Sequence, residues 1–196
     1  MARQADRSAA MRERLIAVGL KAFAEHGYEG TSTNALLSEA GVSKGALYHH
    51  FASKQALFEA VFEYVARTSI ARALASAPRR PETTELDRLI DGALHWLREA
   101  RRPAVSKILL EEGPRVLGFQ RARQLEAKSS LGLMIAGLER AQHAGEIDVE
   151  DIQFSARLIN AALGEAALVR ATERRPPSQA KVDAMIRKLI EGLTQD

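Results

Sequence analysis

The heptapeptide KGALYHH (residues 44–50) combines side chains that can contact a nucleic acid with small residues that permit close approach. Lys44 can reach a guanine edge or a phosphate, and Tyr48 and the two following histidines can donate hydrogen bonds to phosphates. Gly45 and Ala46 add little bulk, so a helix carrying them could lie deep in the major groove. The residue types therefore predict a DNA-recognition helix.

The stretch that must position this helix is Thr31–Phe58. Thr31 and Ser32 can start a first short helix, because a hydroxyl oxygen accepts a free N–H of the first turn. Gly41 can end it in the left-handed conformation, and Ser43 can cap the second helix. Two short helices joined by a glycine turn form the helix-turn-helix pattern, whose second helix enters the major groove. The same spacing also fits a helical hairpin with no nucleic-acid role.

The segments AFAEHGYEGTS (22–32), GVSKGALYHHF (41–51) and SKQAL (53–57) resemble the TetR family of bacterial one-component repressors. The resemblance covers roughly residues 9–69, and Leu37 departs from it where the family commonly has a small alanine. It implies a DNA-binding domain, a variable effector-binding bundle and a homodimer on a palindromic operator. By this resemblance, three residues align with base-contacting positions, namely Asn34, Lys44 and Gly45, and four with phosphate-contacting positions, namely Thr33, Tyr48, His50 and Lys54.

Lys54 also has a physical reason to meet a phosphate, because helix N-termini favour anions. The complete set that we expect to contact DNA is Thr33, Asn34, Ser43, Lys44, Gly45, Ala46, Tyr48, His49, His50 and Lys54. The basic N-terminal arm carrying Arg3, Arg7 and Arg12 has two readings. It is either a disordered, solvated tail or a segment that contacts phosphates or the minor groove.

Composition limits the function classes. The chain has 196 residues, 46% hydrophobic and 27% charged, which suffices for a substantial core in one large or two small domains. The net charge is +3, but residues 1–60 contain seven basic and six acidic residues, so a DNA interface depends on placement. The chain has no cysteine, and we expect no metal site and no cofactor. A polar N-terminus and the lack of a long apolar run favour a cytoplasmic protein without a membrane partner.

Apolar residues recur at helical spacing throughout, and no alternating strand pattern is present. We therefore predict an all-α protein of about nine helices. Outside the two motif helices, the expected helices are Ser8–His26, Ser53–Ser76, Glu82–Arg101, a short helix from Pro103 to about Glu112, Phe119–His143, Glu150–Glu173 and Ser178–Leu193. Breaks are expected at Pro78–Pro81, Gly113-Pro114 and Pro176-Pro177.

The Ser53–Ser76 helix would be roughly 35 Å long at 1.5 Å per residue, which is too long for the DNA-binding domain alone. It must therefore enter a second domain and link the two. We expect residues 1–52 to bind DNA and residues 53–196 to sense a ligand and dimerise.

Features of an enzyme are missing from the sequence. It has no glycine-rich phosphate loop, no His-Glu-x-x-His pattern and no cysteine nucleophile. No histidine follows a glutamate at the Glu-x-x-His spacing of helical metal sites, and the adjacent Glu111 and Glu112 cannot share a helix face. We therefore expect no catalytic activity.

The helix at Glu150–Glu173 is apolar on more than one side, which indicates either a fully buried helix or a self-association surface. The resemblance favours the second reading, a four-helix bundle made by the last two helices of each subunit. The residues that we expect at a dimer interface are Leu158, Ala162, Ala166, Val169, Met185 and Leu189.

The resemblance also implies a small-molecule pocket between Glu82 and about Leu168. The residues that we expect to line it are His95, Trp96, Phe119, Met134 and Asn160. Each also has a plain structural interpretation: Trp96 and Phe119 as core, His95 as a surface residue, and Asn160 as a partner of local backbone. The alternative interpretation, from another functional class, is an all-α carrier or protein-interaction scaffold that does not bind DNA.

Overall fold

The computed structural model describes residues 2–77 and 82–193, with side chains from residue 6 onward, and every regular element in those ranges is helical. The elements are α1 Ala2–Gly30, α2 Thr33–Ala40, α3 Lys44–His50, α4 Lys54–Ser76, α5 Glu85–Glu99, α6 Pro103–Val105, a π-helical segment Ser106–Glu112, α7 Gly113–Leu117, α8 Phe119–His143, α9 Ile152–Thr172 and α10 Gln179–Leu193. Residues 103–117 run without a non-helical break and count as one helix, so the described ranges hold nine. The all-α prediction is confirmed.

The first helix is longer than the expected Ser8–His26, because α1 begins at Ala2. The N-terminal arm, for which both a disordered tail and a DNA-contacting segment were considered, is therefore helical, and the Arg12 guanidinium lies 5.2 Å from the centroid of the Phe51 ring. Gly27 interrupts the helix near its expected end, with φ 71° and ψ 173°. His26, the last residue of the expected helix, is exposed, while Phe23 is fully buried.

Three serines cap the helices that follow α1. The hydroxyls of Ser32, Ser43 and Ser53 accept hydrogen bonds from the backbone N–H three residues later, at 3.1, 3.2 and 3.0 Å. Gly41 ends α2 in the left-handed conformation, with φ 62°. These local signals confirm the predicted helix-turn-helix. Thr31 was expected to start α2 as well, but its buried hydroxyl donates to the Gly27 carbonyl at 2.7 Å.

Helix α4 joins the two halves of the molecule. At its start, Phe58 packs edge-on against Phe23 and Tyr28, with ring centroids 5.3 and 5.4 Å apart. Further along, Val65 and Ala73 are buried where α4 packs on α5 and α8. Helix α4 thus packs against α1 as well as against α5 and α8, as expected of a helix that links the two parts.

The expected break at Gly113-Pro114 is wrong. Gly113 has helical angles, φ −51° and ψ −57°, and Pro114 continues the helix as the second residue of α7. Glycine is needed at position 113 for another reason: a Cβ there would lie 2.3 Å from Cε2 of Phe62 on α4. Glycine thus permits close packing of two helices and does not end one.

The remaining boundaries follow the expected punctuation. A tight turn at Gly145 ends α8, and the Glu146 N–H donates to the Ala141 carbonyl at 3.0 Å. The Pro176-Pro177 pair separates α9 from α10 as predicted. The predicted break at Pro78–Pro81 lies outside the described residues. No helix in the described ranges is both long enough and apolar enough to cross a membrane.

Candidate nucleic-acid interface and ligand cavity

Helix α3 presents its predicted recognition face to solvent. Its Leu47 is only 2% exposed and fixes the helix against the core. Lys44, Gly45, Tyr48 and His49 are exposed on the outer side, and Ala46 and His50 are half-buried. The Ser43 hydroxyl accepts the Ala46 N–H, and Asn34 is exposed and Thr33 half-buried in the first turn of α2.

The charge on this face is not neutralised by its neighbours. Within the described residues, no carboxylate forms an ion pair with Lys44, whose ammonium lies 6.0 Å from the centroid of the Tyr48 ring. The rings of His49 and His50 pack edge-on at 5.2 Å. Two acidic side chains of the region are engaged elsewhere, Glu39 with Lys21 at 3.0 Å and Glu59 with Arg121 on α8. The α3 face can therefore offer a cation and aromatic donors to a polyanion.

Lys54 is the first residue of α4, as expected, and it has two backbone partners that the sequence did not indicate. Its ammonium donates to the backbone carbonyls of Tyr28 at 2.9 Å and Thr31 at 3.0 Å, and lies 4.0 Å from the centroid of the Tyr28 ring. Burial, with the nearby Glu29, raises the pKa of the Tyr28 hydroxyl. Lys54 thus ties the α1–α2 connection to α4, and only its third N–H is free for a phosphate. A DNA contact from Lys54 stays a prediction.

A cavity of about 310 Å³ lies between α4, α5, α8 and α9, with Leu109 of the π-helical segment in its wall. Of the five residues expected at a ligand pocket, Trp96, Met134 and Asn160 line it. Most of the remaining wall is apolar, and Ile70, Leu74, Leu89, Leu133 and Leu163 form much of it.

The other two expected pocket residues lie outside the cavity. Phe119 is the first residue of α8 and is 66% exposed, so it belongs to neither pocket nor core; its ring lies 5.8 Å from the Arg123 guanidinium. The Nδ1 atom of His95 lies 3.0 Å from the Ser76 hydroxyl. Trp96 therefore faces the cavity, whereas His95, the preceding residue of α5, lies on a different side of the helix.

Sequence reasoning missed the most unusual group in the wall, the carboxyl of Glu126. Burial raises its pKa to about 7, and the charge of Arg123 only partly opposes this. The available signal was spacing: Glu126, Ser130 and Met134 follow one another at i, i+4 and i+8 on α8, and all three line the cavity.

Helices α9 and α10 expose apolar side chains beside one another. Each buries one stripe, including Ile159 and Leu163 on α9 and Ile186 and Ile190 on α10. The expected interface residues Leu158, Met185 and Leu189 are 40%, 61% and 38% exposed, and Ala162, Ala166 and Val169 are half-buried. Phe154, 58% exposed one turn before Leu158, was missed. In the described chain, no group of three or more acidic or histidine side chains could hold a metal ion.

Comparison with solved structures gives the same architecture. A crystal structure of a TetR-family transcriptional regulator from Pectobacterium atrosepticum is similar over 97% of this chain and 97% of its own. The sequence identity is 27% and the TM-score 0.82. This similarity extends through α9 and α10 as well as the N-terminal helices.

Curated relatives match mainly over part of the chain. Nucleoid occlusion factor SlmA of Haemophilus influenzae is 37% identical over 105 residues, 53% of this chain and 45% of SlmA. The HTH-type transcriptional repressor AcnR of Corynebacterium efficiens is 31% identical over 54% of this chain and 50% of AcnR. The match thus spans about half the length of these two relatives. The HTH-type regulator YezE of Bacillus subtilis is 30% identical over 70% of this chain and 73% of its own.

Two family models cover most of the sequence. The model for bacterial regulatory proteins of the tetR family matches residues 15–61, which include α2 and α3. The model for the tetracyclin repressor-like C-terminal domain matches residues 86–193, more than half of the chain. The chain belongs to the TetR family of bacterial transcriptional regulators.

Proposed function

We propose that the protein is a homodimeric transcriptional repressor, which binds a palindromic operator through α3 and leaves it when a small molecule enters the cavity. The observation that carries this proposal is the exposed α3 face, on which Lys44 has no acidic partner in the described chain. In the proposal residues 1–52 bind DNA, residues 53–196 sense and dimerise, and the protein acts in the cytoplasm, where operators lie. It has no catalytic role.

The exposed apolar side chains of α9 and α10 support the dimer. Phe154 and Met185 are the most exposed of them, and each lies opposite a stripe that is already buried within the subunit. Large apolar side chains clustered at a surface mark interaction sites, and a two-fold operator requires a two-fold protein. A second copy of this chain is the partner that meets both requirements.

Helix α4 supplies one mechanical link between cavity and DNA. Its C-terminal half contributes Ala66, Ile70 and Leu74 to the cavity wall. Its first turns hold the DNA-binding helices through Phe58 and Lys54. A stiff helix cannot change its tilt at one end without moving the other, so a ligand that displaces Ile70 also displaces α3.

Residues 103–117 supply a second link. Leu109 of the π-helical segment lines the cavity, while the Glu112 carboxyl of the same segment lies beside Gly27 near the end of α1. The Gln55 side chain of α4 donates to the Val116 carbonyl at 2.9 Å. Short π-helical segments are often found at functional sites, because they shift the facing of side chains within a helix.

Release then follows from thermodynamic linkage. A ligand that binds the DNA-incompetent arrangement more tightly shifts the population toward it, and DNA must weaken ligand binding by the same factor. A tenfold effect requires about 1.4 kcal/mol of coupling, which burial of one apolar group can supply.

The salt dependence of DNA retention tests the proposal against the carrier or scaffold alternative. The protein is titrated into fluorescent duplexes at several salt concentrations. Neutralised phosphates release counterions, so the logarithm of the binding constant should fall steeply and linearly with the logarithm of salt concentration. A protein that shows no salt-dependent retention on duplex DNA would not be a DNA-binding regulator.

A further inference from the structure

The charged residues at the cavity wall differ in whether they have partners. Arg140 pairs with Glu85 at 3.1 Å, and Arg88 contacts the same carboxylate. Asp91 lies 3.5 Å from the Arg187 guanidinium. These three charges are therefore compensated by Glu85 of α5 and Arg187 of α10, neither of which lines the cavity.

Glu126 is the exception among the charged residues of this wall. In the described ranges, no side chain donates a hydrogen bond to its carboxyl and no cation forms an ion pair with it. Its neighbour one turn earlier, Arg123, lies against the Phe119 ring, and its charge offsets the burial of Glu126 only in part. An ionised carboxylate without a partner in an apolar wall is costly, and the cost disappears when a cation arrives.

We infer that the cavity binds a ligand with an apolar body and one protonated amine, which the Glu126 carboxylate receives. The inference rests on the effector-binding part of the proposed function and does not depend on DNA binding. The apolar body would lie against Ile70, Leu74 and Leu163, and a cavity of about 310 Å³ has room for it. The Asn160 amide oxygen and the Ser130 hydroxyl in the same wall can accept further N–H bonds.

The chemistry of the wall discriminates between head groups. A carboxylate ligand would place a second negative charge near Glu126 and is disfavoured. An alcohol can exchange one neutral hydrogen bond with Glu126, whereas an ammonium gains a charge-assisted bond that is roughly twice as strong. Trp96 in the same wall offers an aromatic face, to which cations are attracted.

Binding of an amine should depend on pH in a known direction. Burial holds the pKa of free Glu126 near 7, so an amine must displace a proton from it below that pH. Among the other charged groups on this part of α8, Arg121 and Lys128 contact Glu59 and Glu63 of α4, while the charge of Arg123 favours the ionised form of Glu126 and only partly opposes the effect of burial. Amine affinity should therefore fall about tenfold per pH unit below pH 7 and level off above it.

The test uses three compounds with one body: 4-phenylbutylamine, 4-phenylbutan-1-ol and 4-phenylbutyrate. Each is titrated into the full chain without DNA, and fluorescence of Trp96, the single tryptophan, reports binding in the cavity. At pH 7.5 we expect the amine to bind most tightly and the carboxylate most weakly. The amine stays protonated from pH 5.5 to 8, so its affinity over that range reports Glu126 alone.

Two variants complete the test. Glu126→Gln should lower amine affinity about tenfold or more, remove its pH dependence and leave alcohol affinity within about threefold. Glu139→Gln removes an exposed carboxylate of the same helix and should change none of these values. Circular dichroism melting of each variant verifies folding, and the alcohol reports whether the cavity is intact.

Equal binding of amine and alcohol, or an amine affinity that Glu126→Gln leaves unchanged, would overturn the inference, as would binding of none of the compounds. DNA retention by the free protein is measured separately. If the amine fails to bind but the protein still retains DNA, the amine-site inference fails and the proposed DNA-binding regulator stands. If DNA retention is absent, the proposed regulator fails whatever the amine does.

Discussion

The exposed face of α3 and the cavity between α4, α5, α8 and α9 are built in opposite ways. The recognition side chains of α3 come from seven consecutive residues, held by the Ser43 cap and by one buried anchor, Leu47. The cavity is lined by residues as far apart in the chain as Ala66 and Gly164. The first surface is local and exposed, whereas the second exists only when four long helices pack together.

Their charges differ in the same way. Lys44 is exposed, so its charge is solvated and costs the fold little. The Glu126 carboxyl faces an apolar cavity, which raises its pKa to about 7. Substitutions on α3 should thus change DNA binding and spare stability, while those at the cavity or domain junction should change stability. The following predictions test this division, from the largest effect to the smallest.

Disrupting the dimer should abolish DNA binding while leaving both regions intact in each subunit. Met185→Glu places a charge on the apolar surface of α10, where the side chain is 61% exposed, so the subunit can still fold. We expect monomers by light scattering and a loss of operator affinity of about 100-fold or more, because one α3 remains where two are needed. Ala162→Glu on α9 should act likewise.

Gln120→Glu is the matched control for this change. It adds the same charge at an exposed position of α8 and should leave the dimer and DNA binding unchanged. A wild-type protein that is monomeric at micromolar concentration would contradict the proposed interface.

Replacing Glu126 should stabilise the protein at high pH. Its folded-state pKa of about 7 lies above the ordinary 4.5, so the folded state binds more protons between these values and wild-type stability falls as pH rises through them. Glu126→Gln should raise the free energy of unfolding by about 2–3 kcal/mol at pH 8 and by little at pH 4. Urea unfolding at both pH values measures this, and an equal effect at the two pH values would refute it.

Removing Lys54 should weaken the fold of the DNA-binding helices, although it is a basic residue near the predicted interface. Lys54→Ala removes the ammonium that donates to the Tyr28 and Thr31 carbonyls, leaving the Tyr28 carbonyl with only the Thr31 N–H at 3.3 Å, and we expect a loss of about 1–3 kcal/mol in urea unfolding. If Lys54 also contacts a phosphate, affinity for all duplexes should fall alike and the salt slope should drop by about one unit. Unchanged stability would show that the two bonds contribute nothing.

Removing Lys44 should have the narrowest effect. Lys44→Ala should leave the free energy of unfolding within about 0.5 kcal/mol, because the side chain is exposed and unpaired in the described chain. If Lys44 contacts a guanine, base preference should relax at one or two operator positions by about 1–3 kcal/mol. Competition binding with single-position operator variants measures this, and a uniform loss at all positions would make Lys44 a phosphate contact instead.

The sequence predicted the local region better than the non-local one. Serine caps and the Gly41 turn are signals carried within a few residues, and they placed α2, α3 and the start of α4 correctly. The break predicted at Gly113-Pro114 was wrong because glycine can either end a helix or permit close contact between two helices, and the sequence does not distinguish the two. Only the structure shows that Phe62 lies where a Cβ would be.

The cavity shows the same limit. Trp96, Met134 and Asn160 were expected at a pocket that the family resemblance implied, and the structure brings them together. Phe119 was expected at the same pocket, but the direction of its side chain depends on how the first turn of α8 packs, and it is 66% exposed. The unpaired state of Glu126 depends on every neighbouring charge, and no spacing rule contains that information.

Selection of bound sequences from a library of random duplexes tests the central claim most directly. The dimer should enrich a two-fold symmetric sequence whose half-sites lie about one helical turn, 34–36 Å, apart, because two copies of α3 must enter successive major grooves on one side of the DNA. Recovery of no common sequence, or of an asymmetric single site, would contradict a dimeric repressor that reads its operator through α3.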